Sequence, residues 1–286
     1  MHRLRISAIS FLNTAPLMWD FEHGGASADF EISYTLPSGC ADALAEGVAD
    51  IGIIPAFAYA SIPRLVILPD VAIASKRAVR SILLVSKVPI GDIRTVAADT
   101  SSRTSVALLR VLFEKWLGGA RAMVPMAPDP ETMLNRCDAG LLIGDAALLV
   151  DRSRYLTYDL AEEWHRLTGK PFVFAFWAVR LEALKMLRAG VDLAKVFQMS
   201  RDHGLQPLNL SAIAQQWSSR VRMTEAEVIS YLTQNIDFSL DAANLEGMEL
   251  FFRYAVECGI VPEAPVFRFL GNLGCSLAIA RSADHI

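Results

Sequence analysis

The chain has 286 residues, of which 53% are apolar and 20% charged, with a net charge of −4 and a mean hydropathy of +0.33. This composition is that of compact soluble proteins and excludes disordered, collagen-like and coiled-coil sequences, while the length suits two lobes of about 100–200 residues around a cleft. With 27 basic against 31 acidic side chains there is no global attraction to nucleic acid or anionic lipid, so an anionic ligand is to be held by local groups.

In chain order, the short apolar runs Leu4–Ile9, Phe30–Thr35, Ile51–Pro55, Leu65–Ala72 and Ser81–Ser86 read as strands. After Pro37-Ser38-Gly39, the segment Cys40–Val48 places Ala41, Leu44, Ala45 and Val48 at helical spacing. Strands alternating with helices imply an α/β lobe. Val88-Pro89-Ile90-Gly91-Asp92 punctuates the pattern, and a smaller α/β unit follows. Its elements are a strand at Thr95–Ala98, a helix from about Ser102 to Trp116, a strand near Ala122–Pro125, a short helix near Pro130–Arg136 and a strand at Ala139–Ile143. Phe172–Arg180, after the Gly169-Lys170-Pro171 turn, reads as a buried strand that crosses back, its Phe and Trp side chains belonging to the core. From Leu181 to about Gly259 the period is helical, with starts at Asn209-Leu210-Ser211, Thr224-Glu225 and Asp241, and this region is expected to pad the first lobe. Cys275–Ile286 reads as a loose tail. The expected lobes are therefore 1–92 with 179–286, and 93–178.

The longest apolar stretches, such as Ala139–Val150 with its Asp145, fall short of the roughly 18 residues that span a bilayer. The basic start His2-Arg3-Leu4-Arg5 lacks the apolar region of a secretory signal, and a cytoplasmic location is expected. Cys40, Cys137, Cys258 and Cys275 are scattered, with no CxxC and no histidine at ligand spacing, so reduced core thiols and no metal are expected. The five histidines His2, His23, His165, His203 and His285 lie apart, without HExxH. Neither GxGxxG after a strand nor GxxxxGKS/T occurs, and no nucleotide cofactor is expected.

The strongest local signal is Thr100-Ser101-Ser102-Arg103-Thr104-Ser105, five hydroxyls and one guanidinium between a strand and an apolar helix. A helix N-terminus offers unpaired N–H groups and partial positive charge, so this is a natural cradle for a carboxylate or phosphate. One hydroxyl is expected to cap the helix, and Arg103 reads either as a ligand or as a solvent-facing residue. A second polar cluster, Ser10-Phe11-Leu12-Asn13-Thr14, follows the first strand, where open α/β sheets bind ligands. Asn13 offers a donor and an acceptor there, or builds an ordinary turn. Ser38 repeats the geometry after the next strand, as a ligand donor or a cap. Asp145, at the end of Ala139–Ile143, reads as a hydroxyl acceptor, a base or a cap.

The run Arg5-Ile6-Ser7-Ala8-Ile9-Ser10-Phe11-Leu12-Asn13-Thr14-Ala15-Pro16-Leu17 resembles the N-terminal "YLN-T/A-x-P-L" signature of the menaquinone-biosynthesis enzymes of the futalosine route. Pro37-Ser38-Gly39-Cys40-Ala41, Asp50-Ile51-Gly52-Ile53-Ile54-Pro55, Arg80-Ser81-Ile82-Leu83-Leu84-Val85-Ser86, Ser101–Leu108, Leu142–Leu148 and Thr168–Trp177 extend the match, and are similar to the chorismate dehydratases in particular. The resemblance implies a two-lobed type II periplasmic-binding-protein fold with a central cleft. It also implies loss of water from chorismate, a dicarboxylate, to give 3-(1-carboxyvinyloxy)benzoate without metal or organic cofactor. On this resemblance Ser102, Thr104 and Ser105 grip one carboxylate at the helix N-terminus, Ser38 and Ser81 hold the other end, Asn13 orients the substrate hydroxyl or side-chain carboxylate, and Ser10, Ser101 and Arg103 are further expected substrate-binding residues. The proton goes to the substrate's own enolpyruvyl carboxylate, with Asp145 as the protein alternative. The related 1,4-dihydroxy-6-naphthoate synthases share that fold, and the fold also permits anion capture without chemistry.

Overall fold

The computed structural model describes residues 3–25, 29–187 and 190–271; His2, the expected tail Cys275–Ile286 and its Cys275 and His285 lie outside the described residues. The strands in chain order are β1 (Leu4–Ile9), β2 (Phe30–Thr35), β3 (Ile51–Pro55), β4 (Leu65–Ser75), β5 (Ile82–Ser86), β6 (Thr95–Asp99), β7 (Ala122–Met126), β8 (Ala139–Ile143), β9 (Leu156–Asp159) and β10 (Phe172–Arg180). They form two five-stranded sheets, ordered β2-β1-β3-β10-β4 and β7-β6-β8-β5-β9. In the first, β1 is parallel to β2 and β3, while β10 runs antiparallel to β3 and β4. The second repeats the plan, with β6 parallel to β7 and β8, and β5 antiparallel to β8 and β9. The result is a two-lobed α/β molecule.

Burial explains why these strands are legible. β3, β5 and β8 are buried along their whole length, and β10 is buried up to Arg180. A strand covered on both faces has no polar side to show and reads as an unbroken apolar run. Sheet membership changes between Ser75 and Ile82 and again between Asp159 and Phe172, whereas the expected boundaries were 92/93 and 178/179. The Val88–Asp92 punctuation is a tight turn inside the second sheet, between β5 and β6. Proline and glycine mark turns, and a turn within a sheet looks the same in sequence as a turn between sheets.

The helices are α1 (Trp19–His23), α2 (Pro37–Ala45), α3 (Arg103–Trp116), α4 (Pro130–Arg136), α5 (Gly144–Leu148), α6 (Leu160–Thr168), α7 (Leu193–Gly204), α8 (Pro207–Val221), α9 (Glu225–Ser230) and α10 (Ala242–Glu257). The C-terminal helices pad more than the first lobe: α7 packs on α1 and β4, but α10 lies against both β10 and α3. Trp164 of α6 stacks edge-on against Phe172 of β10 at 5.4 Å, and Phe172 meets Phe251 of α10 at 5.0 Å. This aromatic contact continues the apolar core from one lobe into the other. Asp159 caps α6 through the Ala161 and Glu162 N–H groups and also accepts from Val79 and Arg80 N–H, pinning the chain that crosses between the sheets.

Candidate active site

The loop after β1 enters a tight helical turn, Leu12–Met18, and the loop after β6 enters α3. Both leave the carboxyl ends of strands that are parallel to their neighbours, where the open α/β architecture places ligands. Between them lies a cavity with an empty volume of about 480 Å³. Its polar lining is Asn13, Ser102, Thr104 and Ser105; the other walls include Phe11, Pro37, Ile73, Val79, Ile143, Gly144 and Phe174, and no lining residue carries a charge.

Several polar contacts join elements of the two lobes around the cavity. Leu12 N–H donates to Asp145 Oδ1 at 3.0 Å, Phe57 N–H to Thr104 Oγ1 at 3.1 Å, and Ser38 N–H to the Ser101 carbonyl at 3.2 Å. Phe11 packs directly on Gly144, whose φ is +60° and where a Cβ would sit 2.5 Å from the phenyl ring. Only glycine meets both demands, the left-handed backbone and the close approach.

The Ser/Thr-rich segment divides by position. Ser102 occupies the N-cap of α3, yet its side chain accepts no helix N–H, so the expected hydroxyl cap is absent. The first-turn amides of α3 thus keep no capping side chain, and the Ser102 and Ser105 hydroxyls join them at the cavity wall. Ser101 faces elsewhere: its N–H and hydroxyl both bond Asp99 Oδ1, at 2.8 and 2.7 Å. Arg103 pairs with Asp42 Oδ1 of α2 at 2.5 Å and lines a separate pocket beside Arg110. It acts between lobes and does not line the cavity.

Of the remaining expected residues, Asn13 alone lines the cavity. It is 8% exposed, and its Oδ1 has no hydrogen-bond partner. Ser38 caps nothing, because α2 starts at Pro37 with Leu36 at its N-cap. Ser10 lines a neighbouring pocket with Trp217, and its carbonyl accepts from Arg220 at 2.8 Å. Ser81 is fully buried, takes the Tyr231 O–H at 2.8 Å, and is absent from the cavity wall. Asp145 does not cap α5, whose N-cap is Ile143; it holds Leu12 through Oδ1, and Arg220 Nη2 approaches its Oδ2 at 3.5 Å. Burial pushes its carboxyl pKa up, against the pull of the Leu12 N–H and Arg220.

Sequence reasoning missed Tyr231. It sits in a helical period that reads as padding, and its π-helical turn, Tyr231–Asn235, has no local sequence signature. Among the described residues no group of three His, Cys, Asp or Glu side chains is placed to hold a metal ion. Among them also, no helix is long and apolar enough to cross a membrane.

Comparison with known proteins places this geometry. A chorismate dehydratase from Thermus thermophilus is 27% identical over 275 residues, covering 90% of this chain and 95% of that protein. The crystal structure of protein AF1704 from Archaeoglobus fulgidus superposes with a TM-score of 0.68 at 15% identity, covering 91% of this chain and 99% of that one. The periplasmic aliphatic sulphonate binding protein SsuA from Escherichia coli gives 0.64 at 15% identity, covering 92% and 90%. These likenesses establish the two-lobed periplasmic-binding-protein fold. The family model for menaquinone biosynthesis matches residues 4–257, and the chain belongs to that family.

Proposed function

We propose that the chain is a chorismate dehydratase, a hydro-lyase that removes water from chorismate to give 3-(1-carboxyvinyloxy)benzoate, the reaction that feeds the futalosine route to menaquinone. The observation that carries this reading is a mostly apolar cavity between the lobes, lined both by neutral donors at the α3 N-terminus and by Asn13, with no charged side chain in the wall. The T. thermophilus relative supports the choice of substrate.

The reaction breaks the C3–H and C4–O bonds of a cyclohexadiene, and aromatisation drives it. The site therefore needs alignment and exclusion of water more than a strong acid or base. Ser102, Ser105 and the first-turn amides of α3 take one carboxylate, aided by the partial positive charge of the helix end. Thr104, held by Phe57 N–H, fixes that helix start against the other lobe. With no ionisable side chain in the wall, the C3 proton passes to the substrate's own enolpyruvyl carboxylate. The electron pair left behind completes the ring, the C4–O bond breaks, and the departing hydroxide takes that proton away as water. Incubation of the purified chain with chorismate, followed by aromatic absorbance and mass, tests this. Decay no faster than the uncatalysed rate overturns it, and binding without product returns the chain to the solute-capturing class.

A further inference from the structure

Two pockets meet at one phenyl ring. Ile9 and Phe11 line both the cavity and the neighbouring pocket that holds Trp217 and Arg220, so these two side chains form the wall the pockets share. Ile9 ends β1, whereas Phe11 lies in the connection that leads to the tight helical turn at Leu12.

The Phe11 backbone is held from both sides by oppositely charged side chains of distant elements. Before it, Arg220 Nη2 of α8 donates to the Ser10 carbonyl at 2.8 Å, and that carbonyl belongs to the peptide unit entering Phe11. After it, Leu12 N–H donates to Asp145 Oδ1 of α5 at 3.0 Å, and that N–H belongs to the peptide unit leaving Phe11. Hydrogen bonds to charged groups are the stronger kind. Arg220 Nη2 also lies 3.5 Å from Asp145 Oδ2, so the two charges attract across the clamp. The Arg220 side chain is half exposed, but its guanidinium stacks over Trp217 at 4.3 Å, which restricts its motion. The Phe11 ring itself packs on Gly144, the residue before Asp145.

We propose that Arg220 is a positioning residue for the dehydration. With Asp145 it clamps the two peptide units that flank Phe11 and keeps the ring seated on Gly144, as the partition between the cavity and the neighbouring pocket. The effect on turnover rests on the dehydratase reading; the clamp itself does not. A seated ring separates the reacting bonds from the neighbouring pocket and keeps Asn13, two residues further on, in its place at the cavity wall.

The test is Arg220→Ala. The kcat for chorismate falls about tenfold while KM stays within about twofold, because the wall is displaced and no substrate contact is removed. A loss confined to KM makes Arg220 a ligand group and overturns the role, as does no loss at all. In a Phe11→Ala background the same substitution costs less than about twofold, since the ring it seats is gone. An equal loss in both backgrounds overturns the proposal. Should Phe11→Ala turn over too slowly to follow, amide exchange decides. The Leu12 N–H exchanges about tenfold faster in Arg220→Ala than in the wild-type chain; an unchanged rate overturns the clamp. A wild-type chain that leaves chorismate untouched while Leu12 exchange responds in this way sinks the dehydratase reading and leaves the clamp standing.

Discussion

The start of α3 and Asn13 meet the same cavity from different lobes, and they hold their polar groups in contrasting ways. At α3, Ser102 sits at the N-cap and caps nothing, so hydroxyls and amides remain available at the wall. At Asn13 the side chain is buried and its Oδ1 has no hydrogen-bond partner among the described residues. The first region offers several interchangeable donors, while the second offers one amide. The difference teaches that an anion can be gripped redundantly by a helix start, whereas a lone amide on the opposite wall has no substitute.

Asn13→Ala breaks that contrast most severely. Turnover of chorismate is expected to fall on the order of 100-fold in kcat/KM, with a melting temperature close to wild type because the lost amide was only partly satisfied. Steady-state kinetics beside a thermal melt separate the two effects, and a normal kcat/KM refutes the special place given to Asn13.

Ser102→Ala probes the redundant side. One of several donors is lost, so KM is expected to rise about tenfold while kcat changes little. Because Ser102 accepts no helix N–H, stability is expected to stay within about 0.5 kcal/mol, short of the roughly 1 kcal/mol cost of losing a true cap. A large drop in stability shows that the hydroxyl caps α3 in solution.

Asp145→Asn tests a carboxylate that supports the Leu12 turn. Burial raises its pKa above the ordinary 3.8, so the folded chain holds this proton more tightly than the unfolded chain does. Its contribution to stability is therefore intact in acid and is lost as the pH rises through the unfolded and then the folded pKa. The melting temperature of Asp145→Asn relative to wild type is expected to climb by a few degrees at most, roughly, over that rise. A constant difference between the two melting curves at every pH removes the titration from the account.

The smallest effect is expected from Arg103→Ala. Its ion pair with Asp42 bridges the lobes but is open to solvent on both sides, and such pairs contribute about 0–1 kcal/mol. Chorismate kinetics are expected to stay within about twofold of wild type. A marked rise in KM instead moves Arg103 from the bridge to the ligand.

The elements themselves were written locally. The unbroken apolar runs at β3, β5, β8 and β10 and the helical spacing after Ser102 report burial and periodicity, which depend on near neighbours and survive without a structure. The polar turn at Thr100–Ser105 and the cluster around Asn13 were legible for the same reason: donors gathered at the end of a strand stand out against apolar flanks. Which of those donors faces the cavity was not legible. Ser101 turns to Asp99, Ser10 to a neighbouring pocket, and Arg103 to Asp42, and each choice depends on what the other lobe or a following turn presents.

By itself the sequence determined an α/β chain with two lobes and a donor-rich helix start, because those properties follow from side-chain order over a few residues. Only the tertiary structure decided where the chain changes sheets, since turns within and between sheets share the same residues. It alone also joined Tyr231 to Ser81. Hydrogen-bond partners far apart in the chain leave no periodic trace, and the direction of a donor is fixed only when its neighbours have taken their places.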